Sequence, residues 1–288
     1  MDFLIRVTVG GFARAFIANT RETVNKAASI HETSPAVTAA FGRMLTAAAL
    51  MSADLKNDGN LLTIRTQSNG ALKSILVTAD NLGNVKGCPY TNSVDLPLRE
   101  DGKLDVAGAV GAGYLTVIKD LGLKEPYSGT VELVSGEIAE DIAYYFTASE
   151  QVPSAVALGV LVDTDYSVKN AGGFIIQMLP DAVDTDEFAN SLEERIYALG
   201  GVTAFFERGK TPRDLAEYLF HGYDYTVSDE SPINYLCNCS RERMETALAS
   251  LGRAEISNIV EEDGKATLHC HFCGKDYEFT KEELLAVR

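Results

Sequence analysis

Two short cysteine pairs near the end of the chain, Cys237-Asn238-Cys239 and Cys270-His271-Phe272-Cys273, constrain the fold more than any other feature. Residues 240–269 must leave the first pair and return for the second to meet it. Four of the five cysteines lie in this window. Zinc takes soft thiolates in a tetrahedron, and each close pair offers two sulfurs from one turn of backbone. The first expectation is therefore one Cys₄ zinc site per chain, with Cys237, Cys239, Cys270 and Cys273 as ligands. The common structural ribbon uses two Cys-x-x-Cys pairs, whereas the first pair here has a single spacer. His269 and His271 flank Cys270 as alternative donors, but four cysteines already fill the sphere.

The chain has 288 residues, 46% of them hydrophobic, enough for one large domain with a sizeable core and a small second one. Its 41 acidic and 25 basic residues give a net charge of -16, which repels phosphate backbones and anionic membrane surfaces. No apolar run approaches the roughly twenty residues that span a bilayer. The opening Asp2-Phe3-Leu4-Ile5-Arg6 has no secretory character, so a cytosolic location is expected. Thiols stay reduced there, and a cysteine cluster points to metal or redox chemistry before structural disulfides.

Hydrophobic periodicity divides the chain into three parts. Phe3 to Val9 and Phe12 to Ala18 are strand-like runs joined by Gly10-Gly11, the pattern of a tight hairpin. A helix is predicted over Thr20 to Ile30. A second begins at Thr33-Ser34-Pro35 and runs to about Leu55, with Val37, Phe41, Met44, Leu45, Ala48 and Met51 on one face, as expected of a central buried helix. Five short strands follow, at Leu61 to Thr66, Ser74 to Ala79, Asn84 to Cys88, Gly113 to Lys119 and Gly129 to Leu133, then a helical stretch at Glu137 to Gln151 and strands at Ala155 to Val162 and Gly173 to Met178. The order implies an α+β class rather than repeated βαβ units. Residues 1–180 are read as the large domain and 181–228 as a helical linker, with Glu187 to Leu199 and Thr211 to Phe220 its clearest helices. The linker's limited apolar stripe needs a neighbour to lean on. Residues 229–288 form the small cysteine-bearing domain, too short for a robust core of its own.

A purely structural zinc that staples this small domain is the simpler role. A redox switch is the other, in which the thiolates are oxidised in pairs and the metal leaves. Structural zinc contributes roughly 10 to 16 kcal/mol to folding of a small peptide. A disulfide closing so short a loop contributes only about 2 kcal/mol. Oxidation would thus exchange a large stabilisation for a small one and unfold the domain locally.

Beyond the cysteines, Ser240, Glu242-Arg243, a helix ending near Leu251-Gly252, and Tyr277 and Phe279 complete a pattern that closely resembles the zinc-binding end of the heat shock protein 33 family of redox-regulated chaperones. Pro35, Gly42-Arg43, Gly136-Glu137-Ile138-Ala139-Glu140-Asp141, Tyr145-Phe146, Ser149-Glu150-Gln151, Pro153-Ser154, Leu158-Gly159-Val160 and Ala171-Gly172-Gly173 resemble the N-terminal domain of that family, in the right order. The resemblance implies an ATP-independent holdase of the bacterial cytosol, inactive when reduced and zinc-bound. Peroxide with heat, or hypochlorous acid, would oxidise it, release zinc, unfold the switch domain and linker, expose apolar surface for unfolding proteins and favour a homodimer. It also implies Cys237, Cys239, Cys270 and Cys273 as ligands and disulfides Cys237–Cys239 and Cys270–Cys273. Sequence alone allows three pairings of four cysteines.

Other residues carry less. Cys88, before Pro89, is expected to be a buried packing thiol, with a regulatory thiol the lesser reading. Glu137, Glu140 and Asp141 fit favourable charge at a helix start better than an acid/base pair. His31 and His221 are isolated, and Gly10-Gly11 and Gly172-Gly173 lack the context of a phosphate loop, so no catalytic residue and no enzyme activity are expected. Two rival functions remain. A thiol oxidoreductase would use Cys270 and Cys273 but lacks a preceding βαβ context. A nucleic-acid-binding zinc ribbon would need a basic footprint, whereas residues 229–288 hold seven basic and twelve acidic residues.

Overall fold

The computed structural model describes residues 1–180, 182 and 185–287. Asp181, where the sequence reading starts its linker, lies outside them, as does Arg288. The architecture is the expected mixture of sheets and helices, in two compact units, Met1–Tyr235 and Leu236–Arg288.

The first unit starts with a hairpin, β1 (Phe3–Val9) and β2 (Ala13–Asn19), paired antiparallel in full register. Its turn takes Gly10 and Gly11 at φ 43° and 83°, a region open to glycine at no steric cost. Helices α1 (Arg21–His31) and α2 (Pro35–Ser52) follow, then β3 (Leu61–Ser68), β4 (Ser74–Asp80), β5 (Asn84–Pro89), a short α3 (Val106–Val110), β6 (Gly113–Asp120) and β7 (Tyr127–Glu132). After α4 (Ala139–Tyr145) and a five-residue π-turn at Phe146–Glu150 come β8 (Ser154–Val162) and β9 (Val168–Met178). Three helices, α5 (Asp186–Leu199), α6 (Val202–Glu207) and α7 (Pro212–Leu219), lead to β10 (Tyr225–Pro232) and β11 (Asn234–Tyr235).

The strands form a five-stranded sheet, β10-β1-β2-β9-β8, and a six-stranded sheet, β11-β5-β4-β3-β6-β7. Helix α2 lies between them. Its residues 36–52 are buried apart from Arg43, because an Ala-rich helix presents little side-chain bulk and two sheets can close on it. Gly42 shows how closely its neighbours approach, since a Cβ there would stand 2.5 Å from Val24 of α1 and 2.8 Å from Val160 of β8. The period of two along β2 sends Phe16 and Ala18 to this inner core and Ala13, Ala15 and Ile17 to the opposite face. That opposite face is covered by α5–α7 through Phe188, Leu192, Val202, Phe206, Leu215 and Leu219. The linker helices thus belong to the large unit's packing.

The unit boundary falls at Tyr235/Leu236 rather than at 228/229. Residues 229–232 belong to β10, whose register on β1 runs from Tyr225 opposite Val9 to Pro232 opposite Phe3. Acidic residues and a proline disguise this strand in sequence, and edge strands are where such residues are tolerated. Cys88 is partly buried on β5, opposite Leu76, rather than fully enclosed.

Candidate metal centre

In the second unit, α8 (Arg241–Ala249) and α9 (Arg253–Glu262) are followed by a hairpin of β12 (Lys265–His269) and β13 (Asp276–Thr280) and by α10 (Lys281–Ala286). Cys237 and Cys239 sit on the extended segment before α8, where Ser240 caps the helix by accepting from the Arg243 N–H. Cys270 and Cys273 sit in the hairpin loop. There the Gly274 N–H donates to the Cys270 carbonyl at 2.9 Å, and the Cys270 N–H donates to that of Lys275 at 2.9 Å. This folds the loop into a knuckle with both thiols on one side.

The four sulfurs lie within 4.8 Å of one another. Cys237 Sγ is 3.7 Å from Cys270 Sγ, and Cys239 Sγ is 3.4 Å from Cys273 Sγ. A tetrahedron with metal–sulfur bonds of about 2.3 Å has edges of about 3.8 Å, so the donor set fits a thiolate-bound ion. Neither histidine joins it. His269 Nδ1 is 2.6 Å from Asp276 Oδ1, and the His271 ring stands edge-on to His269. Among the described residues the metal-competent cluster consists of these four cysteines.

Crowding four thiols separates their acidities. Burial pushes Cys237 up to about 12, helped by hydrogen bonds with Cys239 and Cys270. Burial works the same way on Cys239, but hydrogen bonds from Tyr277 and the neighbouring thiols outweigh it and bring this thiol down to about 7. The Tyr277 hydroxyl donates to Cys239 Sγ at 3.1 Å, and this bond raises Tyr277 to about 12.

A family model described as Hsp33 protein matches residues 2–280 of this chain. The chain belongs to the Hsp33 family. Among its relatives, the 33 kDa chaperonin of Acetivibrio thermocellus is 47% identical over 287 residues, covering 99% of this chain and 96% of the relative. That of Clostridium perfringens strain SM101 is 49% identical, covering 98% and 90%. The crystal structure of the 33 kDa chaperonin (heat shock protein 33 homolog) from Thermotoga maritima superposes with a TM-score of 0.90 at 36% identity, covering 99% of this chain and 97% of that one. Relatives named as chaperonins and a four-cysteine cluster fit a redox-regulated chaperone.

The four cysteines singled out in the sequence are the four that converge. Tyr277 is legible in the sequence only as part of a pattern, and its bond to Cys239 spans 38 positions with no local signal. Arg241 was likewise hidden. It donates to Glu283 Oε1 at 2.6 Å and lies 4.4 Å over the Phe279 ring, tying α8 to α10 around the site. Glu137 and Asp141 have structural partners. Glu137 pairs with Arg43 and Arg99, and the buried Asp141 carboxylate accepts from the Val134, Ser135, Gly136 and Ile138 N–H groups. His31 Nε2 lies 3.0 Å from the Tyr235 hydroxyl. No helix among the described residues is long and apolar enough to cross a membrane.

Proposed function

We propose that this protein is a redox-regulated, ATP-independent holdase whose reduced, zinc-bound form is inactive. The observation that carries this reading is the convergence of four sulfurs within 4.8 Å in a unit with few other buried side chains. Zinc is the ion such a donor set favours, and when bound it would hold residues 237–239 and the 270–275 loop together.

Oxidation takes two electrons from each pair of thiolates, and hydrogen peroxide as oxidant accepts them with two protons from solvent and is reduced to two waters. The pairs proposed to close are Cys237–Cys239 and Cys270–Cys273. A disulfide sulfur carries no thiolate charge, so the four cysteines would no longer hold a metal ion. Two disulfides return about 2 kcal/mol each, well short of the roughly 10 to 16 kcal/mol lost. The unit then unfolds, and unfolding spreads back along the chain into β10 and then α5–α7, which precede it.

What this would uncover is an apolar sheet face. Ile5, Val7, Ile17, Phe174 and Ile176 lie beneath α5–α7 and form the kind of continuous patch that binds non-native chains. The net charge of -16 keeps a client complex in solution. Strand β8 is an apolar edge, Ser-Ala-Val-Ala-Leu-Gly-Val-Leu-Val, half-buried along its length, which supports a second copy pairing in the activated state. The reducing cytosol is the compartment that would hold the four thiols ready.

The test compares suppression of thermal aggregation of a client by oxidised and by reduced, zinc-loaded protein, with zinc content and free thiols measured alongside. Strong suppression only after oxidation, with loss of one zinc and four thiols, is the expected result. One retained zinc with four oxidation-resistant thiols would leave a structural staple.

A further inference from the structure

The redox reading uses the outer face of the five-stranded sheet and leaves unexplained a cavity of about 350 Å³ on its inner face, at the C-terminal end of α2. We propose that this cavity is a binding site for a neutral, mainly aromatic small molecule that carries one carbonyl or hydroxyl acceptor. The site lies within the large unit and does not depend on the redox switch.

Its size falls in the range of small-molecule pockets. Phe16 from β2, Met51 from α2, Phe146 from the π-turn and Ile175 from β9 give it apolar walls with two aromatic rings. The charged groups on those walls are neutralised in pairs. Arg14 is held by Asp54 at 2.8 and 3.1 Å, and Lys119 donates to Glu150 at 2.6 Å. Lys56, also on the lining, is exposed. A charged ligand would find no buried counter-charge awaiting it, whereas an uncharged ring system would fill space that otherwise lacks contacts.

One buried polar group on the lining has a donor to spare. Gln177 is 3% exposed and lines the cavity. Its Oε1 accepts from Arg14 Nε at 2.9 Å, but its amide nitrogen, with two N–H groups, has among the described residues a single long bond of 3.4 Å to Ser154 Oγ. A buried N–H short of an acceptor is costly, and a ligand oxygen would satisfy it. The backbone beside the cavity is irregular as well. Phe146–Glu150 is a π-turn, and Gln151 after it has φ 58°, a conformation side chains disfavour. Such features persist where surroundings enforce them and are frequent at functional sites. Here they aim Phe146 and Glu150 at the cavity, and Glu150 is anchored from behind by the Tyr145 hydroxyl at 2.6 Å.

Prodan, a neutral naphthalene ketone whose emission moves to the blue in apolar surroundings, tests the site by titration into the reduced, full-length protein. Saturable binding of one probe per chain is expected. Gln177→Glu keeps the acceptor for Arg14 and removes the donors, and it should weaken the probe about tenfold. Leu121→Trp places an indole at the half-open rim, away from the core, and should block entry with the melting temperature unchanged. Non-saturable binding, or binding indifferent to both substitutions, would overturn the proposal. So would displacement of the probe from reduced protein by an unfolded polypeptide, which would make the cavity a client pocket.

Discussion

Helix α2 and the cysteine unit are held by different physics. Sixteen of the eighteen residues of α2 are buried between two sheets. In residues 236–287 the core consists of Leu248, Ile256, Val260, Cys270, Tyr277, Phe279, Leu284 and Val287, one of them a sulfur ligand of the proposed site. The core around α2 is held by apolar burial, which oxidation of the cysteine thiols does not touch. The small one relies on four sulfurs whose chemistry a two-electron oxidant changes. The largest expected effect follows from removing that chemistry. Cys270→Ser, or chelation at neutral pH, should forfeit most of the roughly 10 to 16 kcal/mol of metal-linked folding. Hydrogen exchange should then show protection lost across α8–α10 and kept in α2. Retained protection in both would mean the small core stands without metal and would break the contrast.

The converse substitution lies in α2. Phe41 is 1% exposed and meets the His31 ring edge-on at 5.5 Å. Phe41→Ala should cost about 3 to 5 kcal/mol. It should lower the melting temperature of the large unit while the metal content per chain stays the same. A parallel loss of metal would show that the two units share one folding transition.

These two regions also differ in how far the sequence discloses them. The helix is legible because Val37, Phe41, Met44, Leu45 and Met51 recur at helical spacing behind Ser34-Pro35, and periodicity is local. The four sulfurs are legible because thiolates at such spacing have few other uses. Strand β10 is not, because Asp229, Glu230, Ser231 and Pro232 carry no strand propensity and are recruited by β1, more than 220 positions away. The cap of α1 is also hidden. Thr20 looks like the capping residue, yet its hydroxyl shares a hydrogen bond with Thr46 at 2.7 Å, and no side-chain cap comes from Thr20. Asp2 supplies it from the other end of the hairpin, accepting from the Glu22 and Thr23 N–H groups at 3.1 and 2.7 Å.

That remote cap gives a prediction with a pH signature. Burial raises the Asp2 carboxyl above its ordinary value, against the lowering pull of the Thr23 and Glu22 hydrogen bonds. The folded protein therefore holds this proton more tightly than the unfolded chain. The stability it contributes is fully present below the unfolded value of about 4 and is lost as pH rises through the folded one. Asp2→Asn cannot titrate, so the stability of the parent relative to this variant should fall from about pH 4 towards neutrality, as read from denaturation midpoints across that range. A difference that grows with pH would show that hydrogen bonding outweighs burial at this position. Asp2→Ala, which removes the cap altogether, should cost about 0.5 to 2 kcal/mol.

The smallest effect bears most directly on how the two units would communicate. Helix α7 starts with a reciprocal cap. Thr211 Oγ1 accepts from the Asp214 N–H, and Asp214 Oδ2 accepts from the Thr211 N–H at 2.7 Å. Removing the hydroxyl with Thr211→Ala should cost about 1 kcal/mol. The loss is local to α7, so reduced protein should keep its metal and fold. If release of α5–α7 is what uncovers Ile5, Val7, Ile17 and Phe174, a weaker α7 should bring client protection on at a lower temperature for the same oxidant. Aggregation assays at stepped temperatures measure this. An unchanged onset alongside the expected loss of stability would place α7 outside the released segment and leave β10 and β11, which follow it in the chain before the cysteines, as the part that has to move.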